Sequence, residues 1–225
     1  MNFEKNFSQY NKHAFVQKKV AEKLTQFLPQ NIDSYEDILE LGCGTGFFTR
    51  EFLKKSTPKN LFLNDFFDTE KYLKDIEYKE FLRGDMKDFL VKKIKKYDLI
   101  ISSSCFQWEN DLELLIKLIA GCTNNLVFSI YLAGNMKEIK NHFGVGLKYY
   151  TKNEIIKILK KYFKNIISFE EEIVLEFPTP FEALRHIKNT GTSLKNKENL
   201  STISKIKSYK ETKLTYKIGY FYVCN

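Results

Sequence analysis

The sequence predicts an α/β domain built on a doubly wound, mostly parallel sheet. Short apolar runs alternate with segments of helical periodicity over residues 38–131, and the first of these runs passes directly into glycines. Such alternation is typical of a parallel sheet with helices on both faces. A chain of 225 residues is long enough for one sizeable core and short for two full domains. We therefore expect a single domain that spans residues 1–225.

The first half of the chain carries five predicted strands and the helices between them. Apolar residues at helical spacing predict a helix over 8–28, and residues 1–30 are expected to form an N-terminal helical cap. Two further helices are predicted over 46–55 and 109–120. The short apolar runs that predict strands are 38–41, 60–65, 78–82, 98–103 and 125–131.

The second half adds one helix, two long strands and an insertion. Thr151, followed three residues later by Glu154, forms a capping-box pattern that marks the start of a helix. The predicted elements are a helix over 151–163 and strands over 166–177 and 214–223, which bring the sheet to seven strands. Residues 178–212 contain a helix over 181–188 and then a Lys-, Ser- and Asn-rich stretch. We expect them to form a small, helical, lid-like insertion between the last two strands.

Composition restricts the class of protein and its partners. The net charge of +8 and the pI of about 9.1 suit an acidic partner, or reflect a Lys-rich composition without one. The four cysteines show no metal or redox spacing, so we expect no metal site and reduced thiols in a cytoplasmic protein. The N-terminus lacks the apolar run of a signal peptide, and no stretch approaches the roughly 20 apolar residues of a membrane helix.

Three glycines, at positions 42, 44 and 46, separate the first predicted strand from the helix that follows it. This is the first crossover of a doubly wound sheet, where ligands bind beyond the carboxyl end of the strand. Phe47 stands where a dinucleotide fingerprint requires glycine or alanine, and the Gly-Lys-Ser/Thr of a P-loop is absent. The loop therefore predicts a site for a nucleoside-type ligand that is neither NAD nor a P-loop nucleotide.

Two acidic residues follow the next two predicted strands. Asp65 ends the second strand, 19 residues after Gly46, and is placed to accept hydrogen bonds from both hydroxyls of a ribose. Asp85 follows Gly84 at the end of the third strand, where it is placed to meet an adenine edge. The glycine loop and these two acids together predict a nucleoside pocket.

The run Glu40-Leu41-Gly42-Cys43-Gly44-Thr45-Gly46 resembles the first motif of class I S-adenosylmethionine-dependent methyltransferases, and the resemblance extends over residues 40–131. It implies S-adenosyl-L-methionine as cofactor and S-adenosylhomocysteine as product. It also implies that the loop holds the methionine part, Asp65 the ribose and Asp85 the adenine. The cofactor-binding residues that we expect are Tyr10, Glu40, Gly42, Cys43, Gly44, Gly46, Asp65, Phe66, Asp85, Met86, Ser102 and Ser103.

Further motifs lie outside that core: Phe7-Ser8-x-Tyr10 with Ala14 and Gln17, Gln107-Trp108, 183–191, and Leu214-Thr215-Tyr216. They are similar to motifs of the biotin-pathway malonyl-[acyl-carrier protein] O-methyltransferases. The sequence departs from that family at Ser103, where Asn is expected, and at 121–125, which lack its Pro-Gly turn. The resemblance implies methylation of the free carboxylate of a malonyl group on acyl carrier protein. Gln107-Trp108 also occurs in methyltransferases of other small carboxylic acids, so the acceptor stays open at this point.

A carboxylate acceptor fits the residues of the motifs. A carboxyl group with a pKa of about 4 is already ionised at pH 7, so it needs no general base. None of the three histidines lies near the motifs. Arg185 is expected to bind the acceptor carboxylate, because arginine offers a planar pair of donors. Gln107 and Trp108 are expected at the substrate mouth, and Tyr10 is expected to close the cofactor pocket.

An acidic carrier protein is the predicted partner of a monomeric enzyme, and lysines of the insertion and its flank are suited to meet it. They are Lys188, Lys195, Lys197, Lys205, Lys207, Lys210 and Lys213. A solvated basic face without a partner is the alternative. Three other functions stay open: methylation of RNA, methylation of a quinone or free carboxylic acid, and cofactor binding without catalysis. RNA is the less favoured acceptor, because the Asn/Asp-Pro-Pro-Tyr motif of base methylation is absent.

Overall fold

The computed structural model describes residues 14–92, 95–189 and 203–225, and its strands form one seven-stranded sheet in the order β3-β2-β1-β4-β5-β7-β6. The strands are β1 Asp37–Leu41, β2 Asn60–Asp65, β3 Glu80–Arg83, β4 Leu99–Ser103, β5 Asn125–Tyr131, β6 Asn165–Glu176 and β7 Lys213–Cys224. The first five are parallel, and β7 pairs antiparallel with both β5 and β6. The predicted doubly wound, mostly parallel sheet of seven strands is confirmed.

Eight α-helices accompany the strands within the described residues. They are α1 Phe15–Leu24, α2 Phe47–Leu53, α3 Met86–Val91, α4 Leu112–Ala120, α5 Lys137–Phe143, α6 Lys152–Leu159, α7 Pro180–Asn189 and α8 Ile203–Ser208. The capping box at the start of α6 is present, since the Thr151 hydroxyl accepts from the Glu154 backbone N–H and the Glu154 carboxylate accepts from the Thr151 N–H. Of the helix predicted over 8–28, residues 8–13 lie outside the described residues, and a 3₁₀ turn follows α1 over Thr25–Phe27.

Two apolar layers enclose the sheet, one on each face. Ile38 and Val127 face the layer that α1, α2, α5 and α7 cover. Leu39 and Phe128 face the other layer, which α3, α4 and α6 cover. The central strands are therefore buried on both sides, which explains why β1, β4 and β5 read as nearly continuous apolar runs.

Strand β6 forms one edge of the sheet and differs from the central strands. Its residues alternate between partly buried and exposed, and Ile167, Phe169 and Val174 remain 42–59% exposed. The strand pairs along its whole length with β7, from Asn165 opposite Cys224 to Glu176 opposite Lys213. Three consecutive glutamates, 170–172, lie in the middle of the strand.

The segment between β6 and β7 comprises residues 177–212, of which 190–202 lie outside the described part. Helix α7 packs on β7 through the buried Ala183, His186 and Ile187. The His186 Nε2 atom lies 3.0 Å from the Tyr216 hydroxyl. Helix α8 lies against α5, where the His142 ring contacts the Lys205 carbonyl oxygen at 2.9 Å. The division into one domain with a cap and an insertion stays a prediction.

In the described ranges, no helix is both long enough and apolar enough to cross a membrane. The same residues contain no group of three or more His, Cys, Asp or Glu side chains arranged to hold a metal ion.

Candidate functional site

A cavity of about 470 Å³ opens at the carboxyl ends of β1, β2, β3 and β4. Strand β1 has β2 on one side and β4 on the other, so the cavity lies where the strand order reverses. Ligands of doubly wound folds bind at this point of the sheet. The volume falls within the range of small-molecule sites, about 300–1,000 Å³.

The glycine loop forms the floor of this cavity. Gly42, Gly44 and Gly46 all have φ in the left-handed region, at +72°, +55° and +80°. A Cβ atom on Gly42 would lie 2.2 Å from the Cys105 sulfur, so only glycine fits there, whereas a Cβ on Gly44 would meet nothing within 4 Å. Gly42, Cys43 and Gly44 line the cavity. Gly46 is not among the lining residues and instead precedes α2 as its N-cap.

Asp65 joins the glycine loop to the end of β2. One carboxylate oxygen accepts from the Gly44 N–H at 2.8 Å, and the other accepts from the Phe67 N–H at 2.9 Å. The side chain is buried, and burial raises the pKa of Asp65 although the two backbone donors act in the opposite direction. A carboxylate has about four lone-pair positions, so Asp65 retains the capacity to accept bonds from a ligand.

Glu40 is the most deeply buried acid that lines the cavity. Burial, with a smaller contribution from the nearby Asp65 charge, raises the pKa of Glu40 to about 8. Its Oε2 atom has no hydrogen-bond partner among the described residues. A buried acceptor of this kind is costly unless a donor reaches it, so Glu40 marks a position where the cavity suits a cationic group.

The end of β3 supplies the opposite wall. Asp85 and Met86 line the cavity, and the Asp85 carboxylate also caps α3 by accepting from the Lys87 N–H at 2.8 Å. Phe66, which follows Asp65, lines the rim with 64% of its side chain exposed. The predicted residues at the ends of β2 and β3 are thus brought together around one cavity.

The turn after β4 holds an unusual backbone conformation. Ser104 lines the cavity with φ at +52°, which is uncommon for a residue other than glycine. Its N–H donates to the Ser129 hydroxyl at 3.1 Å, and its carbonyl oxygen accepts from the Gln107 amide at 2.5 Å. Gln107 therefore supports this turn and does not line the cavity, whereas Trp108 does.

The two serines predicted at the end of β4 lie on different sides of the cavity wall. Ser103 lines the cavity. Ser102 is fully buried, and its hydroxyl donates to the Leu41 carbonyl at 2.8 Å, which ties β4 to β1. Ser102 thus supports the wall without lining it. Tyr10, predicted to close the pocket, lies outside the described residues.

The sequence reasoning missed several lining residues, among them Gln17, Phe47, Cys105 and Glu109. Phe47, which in the sequence argues against a dinucleotide site, forms part of the cavity wall. The Oε1 atom of Gln17 is buried without a hydrogen-bond partner within the described chain. Glu109 forms an ion pair with Lys87 at 2.7 Å. Cys105 and Glu109 belong to no local pattern, because the turn after β4 meets the cavity only after folding. Gln17 lies in the N-terminal motif and Phe47 directly follows the glycine loop, but neither pattern assigns them to the cavity.

The cavity is acidic although the protein as a whole is basic. Its described lining contains four acids, Glu40, Asp65, Asp85 and Glu109, and no lysine, arginine or histidine. Phosphate ligands are normally bound by cationic side chains or clustered backbone donors. The lining therefore disfavours a phosphate-bearing ligand and favours a cationic one.

Arg185, like Gly46, Ser102 and Gln107, is a predicted site residue that does not line the cavity. It is exposed on α7, and its guanidinium carbon lies 5.2 Å from the centre of the Phe181 ring. It is not among the residues that line the cavity.

Comparison with known proteins agrees with this fold and site. Residues 10–168 match the model of a methyltransferase domain family. A malonyl-[acyl-carrier protein] O-methyltransferase of Calditerrivibrio nitroreducens is 34% identical over 99% of this chain and 94% of the relative. One of Bacteroides thetaiotaomicron is 33% identical over 85% of this chain and 76% of the relative.

A solved S-adenosylmethionine-dependent methyltransferase of Clostridium acetobutylicum has the same fold, with a TM-score of 0.58 at 15% identity over 96% of this chain and 99% of that one. The chain therefore belongs to the methyltransferase domain family. Within this family it is similar, over nearly its whole length, to the proteins named malonyl-[acyl-carrier protein] O-methyltransferase. The predicted family and enzyme class are confirmed.

Replacing Glu40 with Gln should reduce the dependence of stability on pH in the free protein. The pKa of about 8 in the folded state exceeds the value of about 4.3 expected for an unfolded chain. The folded state thus binds this proton more tightly. The stabilisation is fully present below the unfolded pKa and is lost as pH rises through the folded pKa. Melting temperatures over a range of about pH 5 to 9 measure the effect.

The exposed Glu77→Gln provides the matched control and should leave the parent profile unchanged. Parallel profiles for the parent and Glu40→Gln would contradict the assignment of the raised pKa to Glu40.

Proposed function

We propose that the cavity binds S-adenosyl-L-methionine and that the protein methylates the free carboxylate of a malonyl group carried on acyl carrier protein. The observation that supports it most is the acidic cavity on the glycine loop, with Asp65 and Asp85 at the ends of neighbouring strands. A sulfonium and an ammonium make the cofactor cationic at this end, which suits such a lining. The acceptor is proposed from the names of the relatives.

The lining residues fit the parts of this cofactor in order. The backbone of Gly42 and Gly44 would hold the methionine part, and the unpaired Oε2 of Glu40 would accept from its ammonium group. Asp65 would accept from the ribose hydroxyls. Asp85 would meet the adenine amino group beside Phe66 and Met86. An ammonium next to Glu40 would favour ionisation of that carboxyl group, because an opposite charge lowers an acid's pKa.

The reaction needs positioning more than proton transfer. When bound, the cofactor supplies a methyl carbon that an acceptor carboxylate oxygen attacks in line, so that the C–O bond forms as the C–S electron pair moves onto sulfur. The acceptor is ionised at pH 7, so the described lining needs no general base. The walls that Phe47 and Trp108 form would exclude water and hold the acceptor in line with the methyl carbon, which can supply much of the rate.

A basic surface on the insertion would attract an acidic carrier protein. Lys188, Lys205, Lys207 and Lys210 are exposed on the described part of the insertion, whereas Lys213 pairs with Glu176 at 2.7 Å. Lys195 and Lys197 lie outside the described residues. Surface charges of this kind raise the association rate and are screened by salt. We infer a monomeric enzyme that meets its carrier protein through this face.

A methyl-transfer assay tests the proposed acceptor. Incubation with methyl-labelled cofactor and malonyl carrier protein should give a base-labile methyl ester, because the free carboxylate is the nucleophile. Acetyl carrier protein, which lacks a free carboxylate, is the control. Malonyl-coenzyme A, free dicarboxylic acids and RNA are tested as alternative acceptors. Label in RNA or in a free acid, without label in malonyl carrier protein, would replace the proposed acceptor.

Replacing Asp65 with Ala should raise the cofactor dissociation constant about tenfold or more, because hydrogen bonds to a buried charged group are lost. Calorimetric titration of the purified variant measures the change. The exposed Asp68→Ala is the matched control and should bind like the parent. Equal binding by Asp65→Ala and the parent would show that Asp65 does not hold the ribose.

We propose that Arg185, which is exposed and does not line the cofactor cavity, contacts the acceptor carboxylate outside that cavity. Replacing it with Ala should then raise KM for the malonyl acceptor about tenfold, because a charge-assisted pair is lost, and should leave cofactor binding unchanged. Arg185→Lys keeps the charge without the planar pair of donors, so its KM should lie between those of the parent and Arg185→Ala. Steady-state kinetics at saturating cofactor measure the effect, with the exposed Lys160→Ala as control. An unchanged KM would remove Arg185 from the acceptor site.

A further inference from the structure

The Arg50 side chain connects two segments that border the cavity without lining the cavity itself. Its Nη1 donates to the Thr45 carbonyl oxygen at 2.7 Å, and its Nη2 donates to the Tyr72 carbonyl oxygen at 2.8 Å. Its Nε and Nη2 also donate to the two carboxylate oxygens of Asp75, at 2.7 and 2.6 Å. Four hydrogen bonds from one guanidinium thus hold three partners.

Of those partners only Thr45 lines the cavity, and the other two lie in a segment that continues from its wall. Thr45 lies in the glycine loop, whereas Tyr72 and Asp75 lie in the segment between β2 and β3 that begins immediately after Asp65. The loop and the segment also touch at Gly46, where a Cβ atom would lie 2.8 Å from the Leu73 side chain and 2.9 Å from Arg50 Nη1. Arg50 therefore holds the two segments at a fixed separation in a tightly packed region.

The geometry of this contact matters more than its net charge. The Asp75 side chain is 63% exposed, so solvent screens its attraction to Arg50. The guanidinium, in contrast, is planar and offers five donors in a rigid arrangement. A lysine at this position would keep the charge but could not reach two carbonyls and a carboxylate in the same geometry.

We propose that Arg50 is a positioning residue for cofactor binding: it sets the distance between the glycine loop and the wall that carries Asp65. The Gly44 N–H that donates to Asp65 at 2.8 Å lies one residue before Thr45, so movement of the Thr45 carbonyl would displace that contact. This inference rests on the proposed function, because it requires that the cavity bind S-adenosyl-L-methionine.

Calorimetric titration of S-adenosyl-L-methionine into Arg50→Gln and Arg50→Lys tests the inference. Arg50→Gln should raise the dissociation constant about tenfold or more, because a small displacement of binding groups is costly. Arg50→Lys should give a smaller rise. At saturating cofactor, kcat with malonyl carrier protein should stay within about twofold of the parent, since Arg50 does not approach the acceptor.

Lys54→Gln is the matched control, because Lys54 follows the same helix and pairs only with Glu51 among the described contacts. Asp75→Asn keeps the two carbonyl contacts of Arg50. It should raise the dissociation constant about threefold, which is the size of change expected when one weak ion pair is lost. This variant keeps the test decisive if Arg50→Gln does not fold, because Asp75 is exposed.

Two failures can be told apart. A parent that does not bind S-adenosyl-L-methionine would overturn the proposed function and this inference with it. If the parent binds the cofactor, and Arg50→Lys and Asp75→Asn bind it as tightly as the parent does, only the role of Arg50 is overturned. Variants that melt at lower temperature but bind like the parent well below melting would give Arg50 a structural role alone and would also overturn it.

Discussion

The absence of a side chain at position 42 is the constraint on which the site depends. A Cβ there would collide with Cys105, so glycine alone allows the turn after β1 to lie against the turn after β4. Because β1 and β4 are neighbouring strands, the two turns lie side by side beyond their carboxyl ends, where the cavity opens. The Gly44 N–H then reaches Asp65, and the loop, β2 and β4 form one wall.

The sequence could predict most of the sheet, because its signals are local. Strands 60–65 and 125–131 match β2 and β5, since each is a short apolar run ended by polar residues or glycine. Helices α3, α5 and α8 are not predicted because six or seven residues show little helical periodicity, whereas the equally short α2 is predicted because it follows the glycine loop. Their positions depend on packing and capping, such as the bond from the Lys87 N–H to Asp85.

The site was predictable where backbone conformation and strand ends determine it, and less so where tertiary contacts do. The glycines, Asp65 and Asp85 follow from spacing along the chain. Whether a polar side chain lines the cavity or supports it from behind depends on its partner, as for Ser102, which bonds to the Leu41 carbonyl. Phe47 shows the reverse case, because a residue used only to exclude a ligand is part of the wall.

The exposed edge strand β6 affects whether copies of this protein associate with one another. Within the described residues the 12-residue strand β6 pairs on one side only, and an edge of this kind can associate with another chain. If two copies of β6 paired antiparallel about Glu171, Glu171 of one would stand opposite Glu171 of the other, and Glu170 would stand opposite Glu172. Like charges placed opposite each other oppose strand pairing. Glu170 and Glu172 pair with Lys217 and Lys137 of their own chain, but this register would still bring two acidic clusters together, which opposes fibre-like stacking along this edge.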